Sequence, residues 1–464
     1  MHSFIQLIGS LLRRGAVLAA AAAVLCALVL AAVCLLCRRG GRKTFPWGRS
    51  LLLTALAGYI ALLLYATLFR YTGGGFSDTN LHLFRAWREA WNGCSVQNWL
   101  NVLLNVALFV PLGLLLPPLS ARLQKWYLTP ALGLGCSLLI ESLQHLTGRG
   151  LFDVDDLFAN ALGCALGYCV VMALLPRAAR TERPRAKRLA FLALPLAFAA
   201  VLTGLFAVYQ LKEYGNLEEA PAFTADTGGV VWELQCRLDD TARTAPVYRT
   251  EPLDKKACDA FGAAFALRAG TSFPDADYYD NATIFANHAT GDFLTVNYHD
   301  RSYEYTLGEE RGRLKSAPSE AALRGLLAEY GIDVPQEAVF RSEGEGRYAF
   351  SVDMRREGGR LTDGALRCRI REDNRLYKVT DSLVTGTYYK DEAVLSQARA
   401  FERLCAGKFS HGERFAHYAP ERVQVRSCAL DYRVDSKGFY RPVYVFELAA
   451  GGESMGGFIV PAMQ

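Results

Sequence analysis

At 464 residues the chain is too long for one ordinary core and divides into two or three folding units. Its charge is unevenly spread: the first 209 residues hold 19 Lys and Arg against 7 Asp and Glu, the remainder 32 against 39. A basic apolar half joined to an acidic polar half describes a membrane domain followed by a soluble one, with its cations in membrane-flanking loops; this excludes reading the net charge of +5 as a nucleic-acid footprint.

Six apolar stretches have about the 20 residues needed to cross a bilayer: 15–37, 50–69, 99–117, 127–146, 157–175 and 189–209. The first is longer than the core of a signal peptide, lacks a clear cleavage site and runs into Arg38, Arg39, Arg42 and Lys43, so it is read as a retained span. With six spans, loops 38–49, 118–126 and 176–188 share one side and carry 13 Lys and Arg, against 6 on the other. The positive-inside rule puts the richer set in the cytoplasm, and the N-terminus and everything beyond Tyr209 outside. The expected fold is an all-α polytopic membrane bundle followed by a soluble α+β domain. Its parts are 1–49 (first span and basic loop), 50–176 (membrane domain), 177–209 (basic loop and sixth span) and 210–464 (extracytoplasmic domain).

Beyond Tyr209 three helix-like segments recur, 254–268, 319–330 and 396–406, with Asp254, Ser319 and Ser396 as N-caps and Gly407 as a stop. Alternating runs follow: Phe350, Val352 and Met354; Leu366, Cys368 and Ile370; Cys428, Leu430, Tyr432 and Val434; an earlier strand falls near 231–238. Helix followed by antiparallel meander, three times over, predicts tandem α+β modules. The five cysteines of this half, Cys236, Cys258, Cys368, Cys405 and Cys428, form no CxxC pair and are odd in number, which is no zinc framework.

Polar residues inside the membrane half are few and grouped. Asn101 and Asn105 stand one helical turn apart at the start of the third span. Glu141, Gln144 and His145 share a face near the end of the fourth, the following loop carries Arg149, Asp153, Asp155 and Asp156, and Asn160 opens the fifth. All fall at one membrane level, on the outer side in this topology. Glu141 lies roughly 9 Å from the end of its helix at the α-helical rise. A carboxylate in hydrocarbon costs several kcal/mol, so Glu141 is expected to face a bundle interior with a partner, Arg149 and His145 being nearest in sequence. These ten residues are the predicted binding pocket. No cofactor or metal is expected, since HExxH, GxSxG and P-loop patterns are absent and His288 and His299 lack a clear third ligand.

The ordered run from Asn101 and Asn105 through Pro111 and Gly113, then Ser137, Glu141 and Gln144, Arg149-Gly150, Asp153-Val-Asp155-Asp156 to Asn160, and Gly163 to Gly167-Tyr168, resembles the VanZ-like family. Tyr65 to Arg70 and Asn80-Leu81 fit the same family's preceding span and loop. The resemblance covers about 50–175 and implies a multi-pass protein of the Gram-positive cell membrane, in a family whose named member is associated with resistance to the glycopeptide teicoplanin. The partners it implies are membrane lipids and a cell-wall precursor or glycopeptide-type ligand. The first and sixth spans and the large C-terminal domain depart from the minimal family pattern. Asp373-Asn374, Asp391 to Ser396 and Tyr432 through Phe446 resemble PepSY-like modules, which implies an interaction domain for an envelope protein.

Three functions stay open at this point. One is binding of a lipid, cell-wall precursor or amphiphile at an outer-leaflet pocket. The second is an intramembrane enzyme acting on a lipid-linked or phosphate-containing substrate, with Glu141 or a loop Asp as general acid/base and His145 and Arg149 steadying an oxygen. The third is a transporter.

Overall fold

The computed structural model describes residues 47–69, 79–148, 150–175, 185–241, 243–279, 281–308, 319–344, 346–373 and 375–463. The expected span 15–37 lies outside them. The chain divides into two units, one of Met1–Ala90 with Asn98–Lys212, the other of Trp91–Gln97 with Glu213–Gln464.

The first unit is helical. Its main elements are α1 (Trp47–Leu64, continued by a π-turn, Tyr65–Phe69), α2 (Arg85–Gly93), α3 (Val96–Leu115), α4 (Leu128–Leu146), α5 (Val154–Leu174), α6 (Arg185–Ala190) and α7 (Ala193–Leu211). Among the described residues four segments are long and apolar enough to cross a membrane: Trp47–Leu68, Val96–Leu119, Val154–Leu174 and Ala193–Leu211. The expected fourth span falls on the 19-residue α4, which is not one of these four, because Glu141, Gln144 and His145 interrupt its apolar run.

Glycine sets how closely this unit packs. A Cβ at Gly163 would collide with the carbonyl of Val106, and one at Gly167 with the carbonyl of Val110; Gly113 on α3 meets the Cys164 backbone in the same way. Without hydrophobic drive between helices in lipid, small residues that let backbones touch are the main route to tight association. Phe109 and Cys164, both fully buried, pack at this seam with Leu63, Leu112 and Ile140.

The second unit is built on a fourteen-stranded sheet running β3 (Val231–Leu234), β14 (Arg422–Val434), β15 (Phe439–Ala450), β4 (Arg243–Thr250), β13 (Val384–Val394), β11 (Arg360–Ile370), β12 (Leu376–Asp381), β8 (Tyr303–Thr306), β7 (Asp292–Asn297), β6 (Ala282–Asn287) and β5 (Asp275–Tyr278). β9 (Val339–Gly344), β10 (Arg347–Glu357) and β16 (Glu453–Pro461) pair off this path. The three expected helices are α8 (Lys255–Ala269), α9 (Glu320–Glu329) and α10 (Gln397–Cys405). Asp254, Ser319 and Ser396 each cap one, accepting from the N–H of Ala257, Ala322 and Arg399. A further short helix, α11, spans Gly412–Tyr418.

The expected three modules become two cores. α8 and α9 share one, around Phe265, Leu323, Leu327, Phe350 and Leu366, while α10 and α11 share another with Leu404, Phe415, Phe446 and Phe458. The sheet continues between them because β4, from ahead of the first helix, inserts between β13 and β15. Gly364 lets β11 change partners: residues Arg360–Asp363 pair with β13 and Leu366–Ile370 with β12. Its φ of 110° and its contact with the Ser382 carbonyl leave no room for a side chain. Cys236, Cys258, Cys368, Cys405 and Cys428 form no disulfide among the described residues.

The glycine seam makes a sharp prediction. Gly163→Ala must separate α3 from α5 and should cost about 1–3 kcal/mol, the usual range for overpacking. Gly135→Ala, where a Cβ meets nothing within 4 Å, should leave stability unchanged. Thermal melts of the detergent-purified full chain compare the two; equal melting temperatures would remove the close-approach account.

Candidate functional site

The polar residues gather where α4 turns back into α5. The turn is anchored by a short parallel pairing of β1 (Thr79–Asn80) with β2 (Phe152–Asp153). Asn80 donates from Nδ2 to Asp153 Oδ1 at 2.9 Å and accepts from the His82 N–H at 3.1 Å. Asp153 is the N-cap of α5 and accepts from the Asp155 N–H at 2.7 Å. Asp155, which is buried, takes the Phe84 N–H on one oxygen and the Ala86 N–H, at 2.6 Å, on the other. It thereby satisfies donors at the start of α2, where Phe84 sits in the left-handed region with φ 68°. Phe84 and Trp87 stack edge-on against Phe158 one turn along α5.

Glu141 is 3% exposed and accepts from the Asp153 N–H on Oε2 at 3.2 Å. Asp156, half-buried, accepts from the Asn105 amide on Oδ1. Asn160, 5% exposed, donates to Ser137 Oγ at 2.9 Å, while its Oδ1 has no partner among the described residues. α4 and α5 thus meet as an antiparallel ladder. Gly133 faces Cys164, Ser137 faces Asn160 and Glu141 neighbours Asp156, each rung one helical turn from the next.

Of the ten predicted residues, Asn105, Glu141, Asp153, Asp155, Asp156 and Asn160 converge. Gln144 turns elsewhere and donates to the Thr67 carbonyl at 2.9 Å, tying the π-turn to α4. His145 Nδ1 is buried without a partner among the described residues, Asn101 is exposed, and Arg149 lies outside the described residues. Asn80 and Ser137 are members that the predicted site lacked. Ser137 had a signal, four residues before Glu141 on the same helical face; Asn80 joins through strand pairing, which no spacing in the chain announces.

The second unit holds a cavity of about 540 Å³ whose lining includes Glu218, Glu219, Asp300, Asp363, Asp431 and Asp435. Most of these acids are engaged by the protein itself. Asp363 accepts from the Tyr440 hydroxyl at 2.7 Å, and Asp431 pairs with Arg433 at 2.6 Å. Burial pushes the Asp435 carboxyl up, opposed by N–H bonds from Phe439, Lys437 and Gly215 and by the charge of Arg441. Burial likewise raises the Glu219 carboxyl.

A bundle of apolar helices carrying a buried polar knot at the end of one helix pair defines an integral membrane protein. Residues 56–175, from within α1 to the residue after α5, match the family model described as VanZ/LLP1, so this segment is VanZ-like. No curated protein matches the chain. A solved structure described as an uncharacterized protein from Eubacterium rectale ATCC 33656 is 10% identical, over 51% of this chain and 88% of that one. Its TM-score is 0.26.

The hydrogen bonds separate bracing acids from the rest. Asp155→Asn replaces one acceptor oxygen with a donor facing a backbone N–H, and should lower stability by about 1–3 kcal/mol. Asp156→Asn keeps one acceptor for Asn105 and removes a charge beside Glu141, so the melting temperature should hold or rise. Thermal melts of both variants in detergent check this; a larger loss in Asp156→Asn would reverse the two roles.

Proposed function

We propose that this is a cell-envelope membrane protein whose α4–α5 knot binds a lipid headgroup, cell-wall precursor or amphiphile, contributing to tolerance of teicoplanin-type glycopeptides. The observation that carries the reading is the pair Glu141 and Asp156. Each has one oxygen held by a neutral donor, and the second accepts nothing from the described residues. Two carboxylates at a membrane-embedded helix end are costly unless something else supplies donors. Binding is favoured over intramembrane catalysis by His145, whose Nδ1 is coupled to no carboxylate among the described residues, the coupling that an oriented acid/base pair requires.

The wider architecture in this reading is six spans with the soluble unit outside. Loop charge of 13 Lys and Arg against 6 supports that orientation. The C-terminal unit then meets an envelope partner, as its resemblance to PepSY-like modules suggests. Single cysteines at Ser319 and Arg183, in a background lacking other exposed cysteines, test the topology with a membrane-impermeant thiol reagent. Ser319 should label in intact cells and Arg183 should not; the opposite pattern inverts the orientation.

For the site, Glu141→Gln should leave protein abundance nearly intact while lowering the teicoplanin inhibitory concentration to that of cells lacking the protein. Asp155→Asn should lower abundance and tolerance together. Full tolerance with Glu141→Gln at normal abundance would end the proposal.

A further inference from the structure

We infer that the α4–α5 seam recognises the primary ammonium group of a lipid headgroup, seated among Glu141, Asp156 and Asn160; this rests on the reading of the knot as a headgroup site and names the chemistry it reads. Three acceptor atoms in the two adjacent rungs lack a donor among the described residues: the second oxygens of Glu141 and Asp156, and Asn160 Oδ1. The Asn160 oxygen is the independent sign. Its amide nitrogen is held by Ser137 across the seam, which keeps the group between the two helices, and an amide oxygen so buried is rarely left unsatisfied.

A ligand for such a place must donate, carry positive charge and be small at its tip. A primary ammonium offers three N–H donors in a compact head, one for each acceptor, and neutralises a charge that burial makes expensive. A trimethylammonium carries the same charge but no N–H, so it leaves all three acceptors unpaired. Access fits a lipid-borne group: Glu141 and Asn160 are closed off, whereas Asp156 is half-buried in the first turn of α5, so the seam opens toward the helix ends, where headgroups lie.

The test is thermal melting of the full chain in a maltoside detergent with four additives: dihexanoyl phosphatidylethanolamine, dihexanoyl phosphatidylcholine, free ethanolamine and magnesium chloride. The ethanolamine lipid should raise the melting temperature saturably and the choline lipid should not. Its apparent affinity should fall about tenfold or more in Glu141→Gln and in Asp156→Asn, the usual effect of losing one charge-assisted hydrogen bond. Should those variants fail to fold, the comparison of the two lipids on the unmodified chain still decides. The same titration in Gly135→Ala, where a Cβ meets nothing within 4 Å, should be unchanged; an equal loss of affinity there would overturn the assignment to the seam. Equal stabilisation by both lipids overturns the ammonium inference while leaving headgroup binding standing. Equal stabilisation by free ethanolamine overturns the lipid source, and stabilisation by magnesium alone makes the seam a metal site. No response to any additive removes this inference and the headgroup reading together.

Discussion

The carboxylate of Asp155 is the interaction on which the membrane unit's polar end depends. Its two oxygens hold the Phe84 and Ala86 N–H groups, joining the start of α2 to the first turn of α5. Backbone N–H groups at a helix start have no intrahelical partner and are expensive to bury unpaired. One buried side chain supplies acceptors for two of these backbone groups. Asp153 does comparable work one step earlier, capping α5 while Asn80 and the short strand pair fix the loop against it. With those contacts made, the direction in which α5 leaves the turn is settled, and so is the face it shows to α3 and α4.

What α5 shows is chemically uneven. Toward α3 it offers Gly163 and Gly167, which allow backbone contact over two successive turns. Toward α4 it offers Cys164, Asn160 and Asp156 in successive turns, so the interface grows more polar toward the helix ends. The four acids of this region therefore differ in role although they crowd into sixteen residues of sequence. Asp155 holds a backbone N–H on each oxygen, and Asp153 takes two donors, the Asp155 N–H and the Asn80 amide, on Oδ1. Glu141 and Asp156 each have one oxygen that accepts nothing from the described residues, which leaves bonding capacity for a ligand.

The soluble unit follows another constraint. A sheet of many strands must cover its apolar face, and here two helix pairs do so at separate places, giving two cores on one continuous sheet. Tyr248, Leu361, Val384, Tyr432 and Tyr440 fill the region between them. The acids around the cavity of this unit are largely engaged by hydroxyl, guanidinium and backbone donors, a pattern of structural carboxylates.

The sequence alone determined what depends on local pattern. Apolar runs announced α1, α3, α5 and α7, caps marked the starts of α8, α9 and α10, and the ordered polar motif identified the segment that matches VanZ/LLP1. Helical spacing also put Glu141 and His145 on one face of α4, because i and i+4 positions share a face whatever the rest of the chain does. The tertiary structure decided which polar residues are braces and which keep free acceptors. It also decided that Gln144 turns away to Thr67 and that Asn80 belongs to the knot. The merging of three expected modules into two cores was likewise beyond local reading, since β4 finds its neighbours β13 and β15 well over a hundred residues along the chain. Hydrogen-bond partners and strand neighbours are set by folding across long separations, and a one-dimensional pattern of polarity records only that a residue needs a partner.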